Sequence, residues 1–339
     1  MRIRKYICFT AIAICIAAVL LRGSDSPDPT LADSGAEPMR RTNLLCAGLD
    51  NAAGNTDVLM LISFDEESRE ITVLQIPRDT YFFADTAQKK INQLYPGARL
   101  AGKNAQDALA FVGESISAAM GIPIDGYLAV NLSTVADLID GIGGVTLRVP
   151  TAIRHRASDG DGYVEIAAGE NHLTGREAIE FLRFRSGYTE GDLGRMDAQK
   201  LLLAATYRKL REEMSLPLIA KLLTSLHGRI YTDIPLSEQL SLARAYYAGR
   251  EDFRVRFLTL PGEAARGEET SGLSYYVVNR KSAFEVMQRY FCGGDFDPSV
   301  RFCDRSRAHF MNIYYDEKQS YTVYTEETLG ALDVKTKQK

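Results

Sequence analysis

Two apolar runs separated by a five-residue charged turn constrain this chain more than any other feature of its sequence. Asp57–Phe64 (DVLMLISF) is apolar at almost every position, so both of its faces are buried and it belongs in the middle of a sheet. Glu70–Ile76 (EITVLQI) follows the turn Asp65–Arg69, a link short enough to favour an antiparallel neighbour. Thr42–Gly48 (TNLLCAG) precedes them as another strand. This meander has a direct consequence for charge. The first strand ends at Asp50 and the second begins at Asp57, both at one end of the sheet. The third runs back to that end and stops at Pro77, which has no N–H for a ladder, followed by Arg78 and Asp79.

Two carboxylates within about 4 Å repel by roughly 4 kcal/mol at an effective dielectric of 20, a cost relieved by a cation, a shared proton or separation. Oxygen-only ligands beside arginines point to Mg²⁺ bridging to a phosphate. The alternative is that Asp50 caps a turn beside Asn51 and Gly54, where Asp is common. Forty Lys+Arg against forty-four Asp+Glu give a formal charge of −4, so no broad basic field is available to grip nucleic acid. An anion site must then come from a few local cations. Four His and five scattered Cys, without CxxC or HExxH spacing, argue against zinc. With 339 residues, 45% of them hydrophobic, the chain is ample for a packed core.

The N-terminus reads as an address. Arg2, Arg4 and Lys5 precede the uncharged stretch Tyr6–Leu21, about 24 Å as a helix against a hydrocarbon core of ~30 Å. A cleaved signal peptide has the same layout, but no A-x-A site follows Leu21, which favours an uncleaved anchor. Basic residues upstream place the N-terminus in the cytoplasm and the remainder outside. Residues 1–22 are thus a cytoplasmic stub and membrane-spanning helix, with lipid as a partner, and 23–40 a Pro/Ser/Asp-rich linker. Residues 41–292 form the main domain and 293–339 a polar, loosely attached tail. Cys46 reads as a small buried hydrophobe, and Cys292 and Cys303 are close enough in sequence for a bridge to be considered.

Ala105–Met120 has apolar residues at helical spacing and stops at Gly121; its many small side chains either leave room for a ligand or pack closely. Tyr127–Asn131 and Val145–Val149 read as strands around a helix from Ser133 to about Asp140, a crossover unit attached to the meander. Thr174–Glu177 fits a capping box starting a helix through about Phe181. In Phe181-Leu-Arg-Phe-Arg185 an extended chain would point Arg183 and Arg185 the same way, either as a phosphate grip or as a solvated strand edge. A long helix follows, Asp192 to Glu213, with Asp192, Arg195 and Gln199 on one face near its N-terminus, a natural anion site unless Asp192 is only the N-cap. Beyond Met214, Leu216–Leu226 and Ser237–Tyr247 read as helices, Arg254–Leu260 as a strand and Lys281–Tyr290 as a closing helix.

Together, Asp50 after LLCAG, N-T-D at 55–57, IPRDT at 76–80, K-I-N at 90–92, F-L-R-F-R at 181–185 and G-D-L-G-R-x-x-x-Q at 191–199 resemble the LytR–CpsA–Psr family. The match runs in order from Thr42 to Tyr207, with weaker similarity near 261–278. The resemblance implies an α/β core with a central mixed sheet flanked by helices, and an apolar tunnel for a polyprenyl tail. It implies an extracytoplasmic phosphotransferase of Gram-positive-type envelopes, moving a teichoic acid, capsule or related glycopolymer from a polyprenyl-pyrophosphate carrier onto peptidoglycan. By position, Asp50 and Asp57 would hold Mg²⁺, and Arg78, Lys90, Arg183, Arg185, Arg195 and Gln199 the pyrophosphate. Arg78 would act in catalysis, and Asp79 and Asp192 would orient groups or take the acceptor's proton. The chain has Asn55 and Ala198 where the family usually has Arg. Two rival readings follow: a polyprenyl-pyrophosphate hydrolase, and a non-catalytic envelope protein that binds lipid carriers.

Overall fold

The apolar runs pair as the sequence predicts, and they form the centre of a wider sheet. The computed structural model describes residues 41–49, 56–65, 67–82, 89–157, 160, 162–213, 215–237, 239, 247, 251–265, 273–292 and 318–337. In chain order come β1 (Arg41–Leu49), β2 (Thr56–Asp65), β3 (Glu70–Ile76), α1 (Leu94–Leu100), α2 (Ala105–Met120), β4 (Gly126–Asn131), α3 (Leu132–Gly141) and β5 (Val145–Val149). Then follow β6 (Ile153–Arg156), β7 (Tyr163–Ile166), β8 (Gly169–Leu173), α4 (Gly175–Arg183), α5 (Asp192–Glu213), α6 (Leu216–Leu226) and β9 (Tyr231–Thr232). The chain continues through β10 (Arg254–Thr259), β11 (Gly262–Ala265), β12 (Tyr275–Val278), α7 (Arg280–Tyr290) and β13 (Tyr324–Thr325).

The main sheet has seven strands in the order β13-β10-β3-β2-β1-β4-β9. β1, β2 and β3 are antiparallel neighbours, while β4 lies parallel to β1 and β10 parallel to β3, so the sheet is mixed. Alternate residues face opposite layers: Leu44 and Cys46 of β1 enter one core, Leu45, Ala47 and Leu49 the other. α3, α4, α5 and α6 cover the first face, and α1, α2 and α7 the second. This double cover explains the unbroken apolar sequence of β2. The small residues of α2 serve close packing, for Ala108, Val112, Gly113 and Ile116 are all buried against the sheet.

Three expectations change. β5 does not join the main sheet: it pairs with β8 as a separate two-stranded ribbon. Its Val-Thr-Leu-Arg-Val sequence alternates buried and exposed residues, as suits a strand covered on one face only. The Thr174 capping box is present, but its helix runs on to Arg183. The tail is not a loose appendage throughout. β13 pairs with β10, Leu329 and Val334 are buried in the core, and Arg211 holds Glu326 through two hydrogen bonds, at 2.6 and 3.0 Å. Cys46 is buried as expected but is also disulfide-bonded. Cys303 lies outside the described residues, and with it the pairing considered for Cys292. Among the described residues no helix is long and apolar enough to cross a membrane, and the predicted anchor and linker, residues 1–40, lie outside them.

Candidate active site

The end of the sheet where β1 stops, β2 starts and β3 stops collects the charges. Pro77 ends β3, and its carbonyl accepts the Thr80 N–H at 2.9 Å, turning the chain so that Arg78 and Asp79 sit on the rim. That turn is fastened on two sides. The Arg78 carbonyl accepts the Asn92 N–H at 3.3 Å, and the Asp79 carbonyl accepts the Tyr276 N–H at 2.9 Å.

Arg78 spans two carboxylates. One guanidinium nitrogen donates to Asp57 Oδ1 at 3.1 Å, and Nε lies 3.4 Å from Asp192 Oδ2 on the first turn of α5. Asp192 in turn holds Arg195, whose guanidinium is 2% exposed, at 2.7 Å. Lys90 pairs with Asp79 at 2.8 Å and lies 5.4 Å from the centre of the Tyr275 ring. Burial would lower the pKa of Arg78, but the nearby carboxylates of Asp192, Asp57 and Asp79 outweigh it and hold the guanidinium firmly charged. Asp57, Asp79 and Asp192 thus face Arg78, Lys90 and Arg195, three charges of each sign. An entering phosphate would have to draw these cations off their carboxylates.

Gln199 is buried one turn further along α5, and its Nε2 donates to the Leu182 carbonyl at 3.3 Å, fixing α5 against the last turn of α4. The crevice bounded by Asp57, Gln75, Arg78, Asp192, Arg195 and Gln199 has about 10 Å³ of free volume, room for about one water. Of the predicted residues, this structure therefore brings together Asp57, Arg78, Asp192, Arg195 and Gln199, with the Lys90–Asp79 pair on the same rim. Arg183 and Arg185 are not among the residues that line the crevice. Because α4 persists through Arg183, the two side chains do not share a face of an extended strand. Asp50 and Asn55 lie outside the described residues. Ala198 is fully buried in the helical core and does not line the crevice.

Two residues escaped the sequence reading. Gln75 is a buried polar residue in an otherwise apolar strand, and it donates to the Met196 carbonyl at 3.1 Å, joining β3 to α5. Its polarity beside the IPRDT motif was the available signal. Lys200, directly after Gln199, is buried, with Nζ 2.6 Å from Asp197 Oδ1 and 2.9 Å from Thr259 Oγ1. Burial pulls its pKa below the ordinary lysine value of 10.5, against the attraction of Asp197.

The unfolded chain binds this proton more readily, so stability rises with pH from the folded value of Lys200 up to 10.5, and is lost as pH falls through that window. Replacing Lys200 with Met should flatten the slope and maintain or raise the melting temperature at neutral pH, since Asp197 stays partly solvated. Calorimetry across pH values from about 7 to 10 checks this. A lower melting temperature with the slope unchanged would contradict it.

As to metal, an ionised carboxylate offers about four acceptor positions, and the hydrogen bond from Arg78 takes one on Asp57. A hard oxygen donor of this kind fits Mg²⁺, which takes one or two carboxylates and completes its shell with water or substrate oxygens. Among the described residues no group of three or more His, Cys, Asp or Glu is placed to hold a metal.

A mixed sheet covered on both faces, with arginines and carboxylates interleaved at one rim, defines an α/β domain suited to a phosphate-bearing ligand. The chain belongs to the LytR–CpsA–Psr family: the profile of the LytR_cpsA_psr family matches residues 18–291. It is 27% identical over 241 residues to TagU of Oceanobacillus iheyensis, covering 70% of this chain and 71% of that one. It is 28% identical over 230 residues to TagV of Bacillus subtilis, covering 65% of this chain and 56% of that one. Both are named polyisoprenyl-teichoic acid–peptidoglycan teichoic acid transferases. The fold matches the crystal structure of B. subtilis TagV with a TM-score of 0.59 at 24% identity, over 74% of this chain and 95% of that one. It matches gbs0355 from Streptococcus agalactiae with a TM-score of 0.66 at 18% identity, over 82% of this chain and 97% of that one.

Proposed function

We propose that the chain transfers a glycopolymer from a polyprenyl-pyrophosphate carrier onto a peptidoglycan hydroxyl. The observation that carries this reading is Arg78, held between Asp57 and Asp192 beside the buried Arg195. In the reaction the acceptor hydroxyl attacks the phosphorus bearing the glycan. The P–O bond to the bridging oxygen breaks, and polyprenyl phosphate leaves with the bond's electrons. The hydroxyl proton passes to Asp79 or Asp192, both partly exposed and both next to a cation that orients them. Arg78 and Arg195 swing from carboxylate to phosphate oxygens, neutralising the charge that otherwise repels the nucleophile. Mg²⁺, when bound by Asp57 and Asp50, would supply further neutralisation of those oxygens. No covalent enzyme intermediate is required. The domain works outside the cytoplasm, held to the bilayer by residues 1–22. Arg78, Lys90 and Arg195 are all present at the rim, which favours catalysis over binding alone despite Ala198.

The test is a transfer assay on the full-length chain in detergent, with a short-chain polyprenyl-pyrophosphate glycan, Mg²⁺ and peptidoglycan fragments, read by mass spectrometry. Linked glycan should form, disappear with chelator and disappear in Asp57→Asn. Free phosphorylated glycan in place of a linked product would identify a hydrolase. Donor binding without any product, under conditions in which B. subtilis TagV is active, would identify a binding protein.

A further inference from the structure

A second cavity, of about 190 Å³, lies against the same wall as the crevice. Asp197 and Lys200 of α5, Thr259 at the end of β10, Tyr276 of β12, and Tyr321 and Tyr324 of the C-terminal segment line it. The two spaces are neighbours by construction. Asp197 follows Met196, Lys200 follows Gln199, and Thr259 is paired in register with Gln75, all three partners lining the crevice.

The chemistry of the lining is specific. Lys200 holds the Asp197 carboxylate at 2.6 Å, so an acceptor on the cavity wall is oriented in advance. The Tyr276 hydroxyl is committed to the Leu260 carbonyl at 2.6 Å, and a Cβ at Gly262 would come within 2.3 Å of the Val277 carbonyl oxygen and 2.7 Å of the Tyr276 ring. Glycine at 262 therefore leaves room for the hairpin backbone and for that ring. Tyr321 and Tyr324 add aromatic walls, with Lys200 Nζ 5.8 Å from the Tyr324 ring centre. Aromatic faces attract the weakly positive C–H face of a sugar ring, while carboxylate and hydroxyl groups bond its rim. The volume is of the order that seats one six-membered ring, as a cavity of about 150 Å³ holds benzene. Residues 319–324, which build one wall, fall beyond the stretch matched by the family profile, so this chain furnishes the cavity from its own C-terminal segment.

We propose that this cavity is a saccharide subsite that seats one sugar ring of a glycan next to the phosphate crevice. The proposal rests on the transferase reading and deepens it. The sugar comes either from the acceptor or from the donor polymer.

Titration calorimetry on the full-length chain in detergent would separate these sources with two probes: a peptidoglycan tetrasaccharide, and a lipid-free disaccharide diphosphate. The variants are Tyr324→Ala, which removes a wall, and Thr322→Trp, an exposed substitution that plugs the mouth and leaves the core alone. At least one probe should bind about tenfold more weakly in both variants, as expected for losing a stacked ring. A loss confined to the tetrasaccharide assigns the subsite to the acceptor, and a loss confined to the diphosphate assigns it to the donor. Binding of both probes that is indifferent to Thr322→Trp, or binding of neither to the wild-type chain, overturns the subsite. Diphosphate binding that is indifferent to Arg78→Ala counts against the transferase reading instead, and the tetrasaccharide arm still judges the cavity.

Discussion

Arg78→Ala should reduce transfer by about two to three orders of magnitude, the range found when one preorganised donor to a developing charge is removed. Arg78 reaches both Asp57 and Asp192. Its loss removes the cation that the two carboxylates share, and an incoming phosphate meets more negative charge. The fold should survive, because Arg78 sits past the end of β3 and contributes nothing to the sheet's apolar layers. A stability loss of about 1–3 kcal/mol is expected from the carboxylates left without their partner. Arg78→Lys should recover little activity, since a single ammonium cannot reach both acids at once as a guanidinium fork does. Circular dichroism with the transfer assay decides the matter, and wild-type turnover in Arg78→Ala would remove that residue from the mechanism.

The largest effect on stability is expected at the C-terminal segment. Deleting residues 318–339 strips Leu329 and Val334 from the core, where they are 2% and 4% exposed, and removes Glu326 from Arg211. The two apolar side chains alone represent about 3–6 kcal/mol of burial, a large part of the roughly 5–15 kcal/mol that holds a typical domain together. The melting temperature should fall by about 10 °C or more. Leu329→Ala, which leaves the segment in place, should show about 2–5 kcal/mol of that loss. A truncated chain that melts with the full-length protein would mean that the segment is dispensable to the core.

The comparison of sequence with structure divides along the range of the contacts involved. Asp57, Arg78 and Asp79 could be brought together on paper because short links leave the strands between them one pairing, and the long apolar run of β2 could only be central. Asp192, Arg195 and Gln199 followed from helical spacing. Local rules give way where a longer-range contact competes with them. Arg183 and Arg185 looked like a paired face only on the assumption that the helix ended at Phe181, and the helix instead continues through Arg183. Val145–Val149 satisfied the pattern of a crossover strand, yet nothing local says that β8 captures it. Lys200 was invisible as a buried cation because its surroundings, Thr259 and Tyr324, come from 59 and 124 positions away. β13, with two residues, is too short for periodicity to detect.

The direction of β1 has a consequence for an anchored protein. The described chain enters this strand at Arg41 and leaves it at Leu49, and the crevice lies at the Leu49 end. Nine residues of strand, at about 3.3 Å each, separate the point of attachment from the chemistry by roughly 30 Å. A domain standing upright on its tether would hold the crevice far above the headgroups, out of reach of a pyrophosphate whose lipid stays in the bilayer. On the anchorage proposed above, the domain would have to recline, with its strands nearly parallel to the membrane plane. The sequence places 18 residues, 23–40, between the proposed anchor and this strand. Shortening that stretch should penalise carriers embedded in membranes while sparing short, water-soluble ones; under the proposed anchorage, the polarity of a single strand would set the posture in which the domain meets its substrate.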